Sequence, residues 1–244
     1  MNAKRYFVIE FVLVCILIVL CVSIYNKRNE TVESDAKAGT KQKVCYLTFD
    51  DGPSNNSEEI LDILDEYNVK ATFFLIGSEI KEEKRSVIES MIEEGHAIGL
   101  HSNVHDFDKL YVSVDVCVQD FEAQYKTLKE AYGVDTRIFR FPGGSACTYM
   151  NGQRKKFVAA MREKGYRCFD WNVSGEDSYG NPTVWSIQKN VFDTFFDYEK
   201  PIVLLHDANN ADITVDALPG ILERMKAEGY SFETLENEKE YVYR

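Results

Sequence analysis

The sequence lacks several features that define common protein classes. Lys and Arg number 28 against 40 Asp and Glu, so the formal net charge is −12. This charge has the wrong sign for a surface that gathers phosphates, and we expect no nucleic-acid partner. Six cysteines in 244 residues are too few and too irregularly spaced for a disulfide scaffold, and no C-x-x-C pair offers a thiolate zinc site. Histidine is also scarce, because the chain has four.

One long apolar run lies near the N-terminus. Residues 6–25 carry a single charge, Glu10, over about the length that spans a ~30 Å hydrocarbon layer as a helix. We therefore expect residues 1–25 to form a cytoplasmic stub and a single membrane anchor, with the rest of the chain outside the cell membrane. A cleaved signal peptide, which would make the protein secreted, and a buried core helix are the alternatives.

The remainder of the chain divides into a tether and one domain. Residues 26–43 contain almost no large apolar side chain, which predicts a flexible linker. Residues 44–244 are expected to form a single monomeric domain, since the chain is 45% hydrophobic and shows no internal repeat. Four cysteines of this domain could form up to two disulfides, with Cys117 and Cys147 as the best pair, or stay as buried thiols.

Within the domain, short hydrophobic runs typical of strands alternate with amphipathic stretches typical of helices. Short runs rich in β-branched and aromatic residues predict seven strands: Val44–Phe49, Ala71–Ile76, Ala97–Leu100, Arg137–Phe141, Tyr166–Trp171, Pro201–Leu205 and Tyr230–Leu235. Amphipathic stretches between them predict six helices: Ser57–Tyr67, Glu79–Glu94, Ser113–Tyr132, Gly152–Lys164, Thr183–Asp197 and Asp216–Glu228. Strict alternation predicts an α/β fold with a parallel sheet and right-handed crossovers. Periodicity does not decide whether the sheet closes into a barrel.

Chemically reactive side chains cluster at the ends of the predicted strands. Because the carboxyl ends of parallel strands meet at one edge of a sheet, these side chains are expected to converge. The set is Asp50, Asp51, His101, His105, Arg140, Asp170, His206 and Asp207. Each has an ordinary alternative explanation, such as a turn at Asp50–Pro53 or two solvated histidines. Their agreement with the topology favours a functional site.

The residue types suggest hydrolysis at a metal site. His101 and His105 have the i,i+4 spacing that would place two imidazoles on one face if the segment is helical, as in zinc sites. One carboxylate with two imidazoles forms a three-ligand site that leaves a position open, which is typical of catalytic zinc. A second carboxylate can take a proton from water, and a histidine across the cleft can give one to a leaving group. These groups suit the hydrolysis of an amide or an ester.

Five motifs in order carry a family resemblance. They are Thr48–Pro53 (TFDDGP), His101–His105 (HSNVH), Arg140–Gly144 (RFPGG), Asp170–Trp171 (DW) and Leu204–Asp207 (LLHD). Together they resemble the motifs of polysaccharide deacetylases with a NodB-homology domain, carbohydrate esterase family four, over about residues 44–235. The resemblance implies a distorted (β/α) barrel of about seven strands. It also implies removal of acetyl groups from N-acetylated sugars and, less often, from O-acetylated ones.

The resemblance further implies a metal centre and a base. Asp51, His101 and His105 would hold a divalent ion, taken to be Zn²⁺, although the same ligands accept Co²⁺ or Ni²⁺. Asp50 would be the general base, and Arg140 would orient it.

An acid and a substrate pocket are implied in the same way. His206 would protonate the departing amine, and Asp170 would hold its second ring nitrogen in the required tautomer. The substrate-binding residues would be Pro142, Gly143, Trp171 and Leu204, with Trp171 and Leu204 forming the wall around the acetyl methyl group.

Several functions stay open at this point. The leading hypothesis is a membrane-anchored, metal-dependent enzyme that deacetylates a cell-wall glycan, namely the amino sugars of peptidoglycan. Its alternatives within the family are a deacetylase of chitooligosaccharides or of an O-acetylated glycan. A non-catalytic carbohydrate-binding module would be expected to lack Asp50 or His206. A non-haem iron oxygenase also uses two histidines and one carboxylate, but it leaves the paired base unexplained.

Overall fold

A computed structural model describes residues 42–242. The predicted membrane anchor and nearly all of the predicted linker lie outside these described residues, so the three-part division of the chain stays a prediction. Within residues 42–242, no helix has the length and apolar character needed to cross a membrane.

The domain is built on a curled parallel sheet. Its strands are β1 (Lys43–Asp50), β2 (Thr72–Leu75), β3 (Ala97–Leu100), β4 (Ile138–Phe139), β5 (Arg167–Cys168), β6 (Val173–Ser174), β7 (Ile202–His206) and β8 (Tyr230–Phe232). Seven of them follow the order β5-β4-β3-β2-β1-β7-β6, and β8 pairs with the first residues of β1. Every pairing is parallel. The predicted α/β class with about seven parallel strands is therefore confirmed.

Helices cover the outer face of this sheet. They are α1 (Ser57–Glu66), α2 (Arg85–Glu93), α3 (Phe107–Leu110), α4 (Val114–Tyr132), α5 (Arg154–Glu163), α6 (Val184–Thr194) and α7 (Asp212–Ala227). Helix α4 shows how the sequence sets such limits. The Ser113 hydroxyl accepts a hydrogen bond from the Val116 N–H at its start, and Gly133 ends it in the left-handed conformation at φ 72°.

The sheet curls far enough to bring its two ends near each other. Strands β5 and β6 lie at opposite ends of the strand order, yet only residues 169–172 connect them. The C-terminal segment lies at this seam, where Tyr241 forms a parallel bridge with Phe169 and its carbonyl accepts the Asp170 N–H at 2.7 Å. Among the described residues β5 and β6 do not pair, so the sheet is a curled half-barrel.

The alternation of side chains along β1 decides what enters the interior of the half-barrel. Cys45, Leu47 and Phe49 belong to the main core beneath the helices. Tyr46 belongs to a separate apolar cluster inside the curled sheet. Since successive strand residues point to opposite faces, the last residue of β1, Asp50, is directed inward at the carboxyl end.

Several elements differ from the prediction, among them two helices and one short strand. The predicted helix Glu79–Glu94 is divided into 3₁₀ turns at Gly77–Glu79 and Glu82–Lys84, followed by α2. Helix α7 begins four residues before the predicted Asp216, because the buried Thr214 and Val215 extend its inner face toward the N-terminus, and it contains Pro219 in its interior. Strand β6 was not predicted, since its two residues are too few for a periodic signal.

The structure distinguishes between disulfides and free thiols for the four cysteines of the domain. Cys45, Cys117, Cys147 and Cys168 are free thiols, and three of them are buried. The Cys117–Cys147 disulfide is therefore not formed in this structure.

Candidate active site

Strand β1 delivers two adjacent carboxylates to one cavity. Asp50 ends the strand and is 3% exposed. Neighbouring strand residues normally point to opposite faces, but Asp51 has a left-handed φ of 76°. This turn interrupts the alternation, and both Asp50 and Asp51 line the same cavity.

His101 and His105 come from the loop that follows β3. The segment is not helical, because Ser102 and His105 have left-handed φ values of 72° and 49°. The Ser102 hydroxyl accepts the N–H of His105 at 2.9 Å and closes the turn. The condition that the segment be helical is therefore not met, although the loop still places the two ring centroids 5.1 Å apart.

Asp51, His101 and His105 form a compact set of donor atoms. The Asp51 Oδ1 atom lies 3.4 Å from the His101 Nε2 atom and 3.2 Å from the His105 Nε2 atom. This oxygen is buried and has no hydrogen-bond partner within the described residues. Two ligands bound at ~2.0–2.1 Å to a tetrahedral ion are separated by about 3.3 Å. The spacing and the unsatisfied oxygen fit a divalent cation.

The hydrogen bonds of His101 prepare one of its nitrogens for a metal. Its Nδ1 atom lies 2.9 Å from the backbone carbonyl of Arg140. Because a carbonyl only accepts hydrogen bonds, Nδ1 carries the proton and the Nε2 lone pair is directed toward Asp51.

The charges around this set favour a cation. Burial by itself raises the pKa of Asp51, but the neighbouring His101 and His105 outweigh burial and hold the pKa of that carboxyl well below its usual range. Burial lowers the pKa of His101, whereas the carboxylates of Asp50 and Asp51 raise it, and the net shift is upward. The two carboxylates therefore attract positive charge to this point, as a proton or as a metal ion.

Arg140 fixes Asp50 from inside the half-barrel. Its guanidinium is fully buried, and its Nη1 donates to the Asp50 Oδ1 atom at 2.7 Å and to the Thr48 hydroxyl at 2.8 Å. Its Nε donates to the Phe169 carbonyl at 2.7 Å. One carboxylate oxygen of Asp50 is thus held in an ion pair. The other, Oδ2, lies 3.6 Å from the His101 Nε2 atom.

His206 is the last residue of β7 and lines the same cavity, in register with Asp50 on the neighbouring strand. Its Nδ1 atom is 2.8 Å from the Asp177 Oδ1 atom, and the Asp177 Oδ2 atom accepts the His206 N–H and the Thr214 hydroxyl, both at 2.7 Å. Burial lowers the pKa of His206, but Asp177 outweighs burial and raises the pKa to about 9. The Asp177, Asp50 and Asp51 carboxylates therefore favour the protonated form of the ring.

This geometry corrects the role predicted for Asp170. The nitrogen that Asp170 was expected to hold is paired with Asp177. Asp170 instead accepts the N–H of Ser145 at 2.8 Å and its hydroxyl at 2.5 Å, so it braces the loop that follows Arg140. The sequence did not point to Asp177 because this residue follows β6, a strand that was not predicted. If β6 had been recognised, a carboxylate just after a strand would have been the signal.

The cavity itself has a volume of about 560 Å³. Its lining residues are Asp50, Asp51, His101, His105, Phe107, Gly143, Trp171, Ser174, Glu176, Ser178, Tyr179, Leu204 and His206. Three of the four predicted substrate-binding residues belong to this lining. The fourth, Pro142, is buried outside it, and its carbonyl accepts the Tyr111 hydroxyl at 2.7 Å.

Comparison with known proteins identifies the family. The family model described as "Polysaccharide deacetylase" matches residues 37–169. A peptidoglycan-N-acetylglucosamine deacetylase of Bacillus cereus is 33% identical over 208 residues, which cover 83% of this chain and 73% of that protein. The chain belongs to the polysaccharide deacetylase family. The prediction of a hydrolase of this family is thereby confirmed.

Solved structures of polysaccharide deacetylases and related esterases share the fold. The catalytic domain of a peptidoglycan N-acetylglucosamine deacetylase from Eubacterium rectale has a TM-score of 0.76 at 32% identity, covering 85% of this chain and 98% of that one. A family 4 acetyl xylan esterase from Clostridium thermocellum, solved in complex with a cobalt ion, has a TM-score of 0.67 at 28% identity. That match covers 79% of this chain and 88% of the esterase chain.

Proposed function

We propose that this polysaccharide deacetylase is a divalent-metal-dependent hydrolase that removes N-acetyl groups from the amino sugars of peptidoglycan. The substrate is supported by the relatives from Bacillus cereus and Eubacterium rectale, both named as peptidoglycan N-acetylglucosamine deacetylases. One observation carries the reaction class. A buried carboxylate oxygen of Asp51, without a hydrogen-bond partner in the described residues, lies within 3.4 Å of two imidazoles and shares a cavity with the His206 ring.

Asp51, His101 and His105 would hold the cation. Zn²⁺, Co²⁺ and Ni²⁺ all suit this donor set, and the clostridial relative binds cobalt. When bound, the cation supplies Lewis-acid polarisation of the amide carbonyl and acidifies a water molecule.

Asp50 would act as the general base. Arg140 holds its Oδ1 atom at 2.7 Å, so Oδ2 is the oxygen available to take the proton of the attacking water. The same ion pair prevents the carboxylate from turning away.

His206 would act as the general acid on the other side of the reacting carbonyl. Its Nδ1 proton is held by Asp177 at 2.8 Å, and its Nε2 atom is left to protonate the amine as the C–N bond breaks. Strands β1 and β7 pair in register with Asp50 opposite His206, so the base and the acid enter the cavity side by side. Trp171 and Leu204 line this cavity and would contact the acetyl methyl group.

We also propose that the enzyme works on the outer side of the cell membrane, with residues 6–25 as the anchor. The support is the apolar run itself and the place of the proposed substrate in the cell envelope. Full-length protein should sediment with membranes, resist extraction by salt and dissolve in detergent. A soluble form shortened at its N-terminus would show a cleaved signal peptide instead.

Acetate release tests the proposed reaction. Full-length protein in detergent would be supplied with peptidoglycan fragments, N-acetylchitooligosaccharides and O-acetylated xylooligosaccharides, with and without added Zn²⁺. We expect metal-dependent release from the two amino-sugar substrates, with the peptidoglycan fragments preferred. Release from the O-acetylated substrate alone would contradict the proposal and indicate an esterase.

A further inference from the structure

Glu176 differs from the other carboxylates that line the cavity. The Asp50 carboxylate is paired with Arg140 at 2.7 Å, and the Asp51 carboxylate lies 3.2 Å from the His105 ring. Glu176 also lines the cavity, but its side chain is exposed and forms no ion pair with any of residues 42–242. Its negative charge is therefore available to a ligand in the cavity.

The backbone holds Glu176 at this position. Glu176 has a left-handed φ of 52°, and its N–H donates to the Ser174 hydroxyl at 3.1 Å. The next residue, Asp177, is directed inward and anchored by hydrogen bonds from His206 and Thr214. This turn separates two adjacent acids: Asp177 supports the catalytic histidine, and Glu176 faces the cavity.

The reaction changes the charge of the substrate that Glu176 meets. An acetamido sugar is neutral, whereas the free amino sugar left by deacetylation carries an ammonium group at neutral pH. A carboxylate at the wall of a cleft attracts an ammonium group and repels a carboxylate, and partial enclosure strengthens both effects. The net charge of −12 on the whole chain acts in the same direction.

We propose that Glu176 is a specificity-determining residue that binds the ammonium group of a free amino sugar adjacent to the reacting acetamido sugar. The enzyme then prefers glycan chains in which deacetylation has begun. This inference rests on the proposed deacetylase function and specifies the substrate of the same cavity.

The test compares two tetrasaccharides at low ionic strength. One is fully N-acetylated chitotetraose, and the other carries one free amine next to an acetamido sugar. We expect the wild-type protein to show a kcat/KM about two- to fivefold higher for the amine-bearing tetramer, the usual size of an exposed charge pair. Glu176→Gln should remove this preference, and so should high salt in the wild-type protein.

A matched control separates the local charge from the overall charge. Glu163 is an exposed acid at the end of α5 that does not line the cavity. Glu163→Gln removes the same charge and should keep the wild-type preference. An equal preference in the wild-type protein and in Glu176→Gln, or an equal loss in both variants, would overturn the proposal.

Binding distinguishes a failure of this inference from a failure of the proposed function. The fully deacetylated tetramer has no acetyl group to lose, so calorimetry measures its affinity without turnover. We expect about two- to fivefold weaker binding by Glu176→Gln than by the wild-type protein or Glu163→Gln. If acetate release is absent from every tetramer, the proposed function fails, while unchanged affinity in Glu176→Gln refutes the role of Glu176.

Discussion

The two sides of the cavity differ in how their buried polar groups are satisfied. On the side formed by β1 and β3, the Asp51 Oδ1 atom is buried without a hydrogen-bond partner in the described residues. On the side formed by β7, the two carboxylate oxygens of Asp177 take part in three hydrogen bonds, two with His206 and one with Thr214. The hydrogen bonds of the β7 side are complete within the described residues, whereas the cation that we propose would satisfy the buried oxygen of the β1 side.

This difference predicts separate consequences for stability and for catalysis. A buried hydrogen-bond acceptor left unsatisfied lowers the free energy of unfolding by about 1–3 kcal/mol. A bound cation should therefore stabilise the fold as well as activate the enzyme. Substitutions on the β1 side should change metal content. Substitutions on the β7 side should change the pH profile with metal content unchanged.

The largest effect is expected from Asp51→Ala. This change removes the carboxylate ligand, and the two imidazoles that remain should not retain the ion. Metal content after dialysis, measured by atomic spectrometry, should fall to background together with acetate release. Full metal content with low activity would contradict the assignment of Asp51 as a ligand.

Asp50→Asn should have the next largest effect and separates the two adjacent acids. The amide cannot accept the proton of water, so the rate should fall about 10²–10⁴-fold, the usual contribution of a general base. Metal content should stay at the wild-type level. Equal loss of metal in Asp50→Asn and Asp51→Ala would refute the division of roles between base and ligand.

Asp177→Asn should shift the pH dependence of the reaction. His206 must be protonated to release the amine, and Asp177 raises its pKa to about 9 in the structure. Activity should therefore fall as the pH rises through the pKa of His206. A bound cation opposes the carboxylates that raise this pKa, so the fall should occur at or below about pH 9. Removing the Asp177 charge should move this basic limb about one to three pH units lower.

Asp170→Asn is the matched control for that shift. Its carboxylate contacts Ser145, so the substitution should cost about 1 kcal/mol of unfolding free energy and leave the basic limb in place. Profiles of kcat/KM against pH for both variants would decide whether Asp170 or Asp177 raises the pKa of His206. A shift in Asp170→Asn without one in Asp177→Asn would restore the role first predicted for Asp170.

The smallest effect is expected from Thr214→Val. The substitution keeps the shape of the side chain but removes the hydroxyl that donates to the Asp177 Oδ2 atom at 2.7 Å. Loss of one buried hydrogen bond should cost about 1 kcal/mol and lower kcat by less than tenfold, with unchanged metal content. Loss of the metal in this variant would show that the two sides of the cavity are coupled.

The sequence predicted the site residues that follow long strands better than the one that follows a short strand. Asp50, Asp51 and His206 directly end or follow strands with strong apolar runs, so their convergence followed from the topology. Asp177 follows β6, a two-residue strand that leaves no periodic signal.

The histidine pair shows a second limit of the sequence. The spacing of His101 and His105 would place both rings on one face only in a helix, whereas left-handed φ values at Ser102 and His105 create a loop. Neither residue is a glycine, so composition gave no indication of that turn. The resemblance to the family covered the reacting groups but also led to Asp170 in place of Asp177.

In the proposed mechanism, the chain needs one cation, held by Asp51, His101 and His105, to hydrolyse an amide bond. The most direct measurement is a titration of chelator-treated full-length protein with Zn²⁺ that follows acetate release from N-acetylglucosamine-containing peptidoglycan fragments. The account predicts no activity without metal, a rise in proportion to added ion and a plateau at one equivalent per chain. Undiminished activity in the fully metal-free protein, or a loaded protein that releases no acetate, would contradict it.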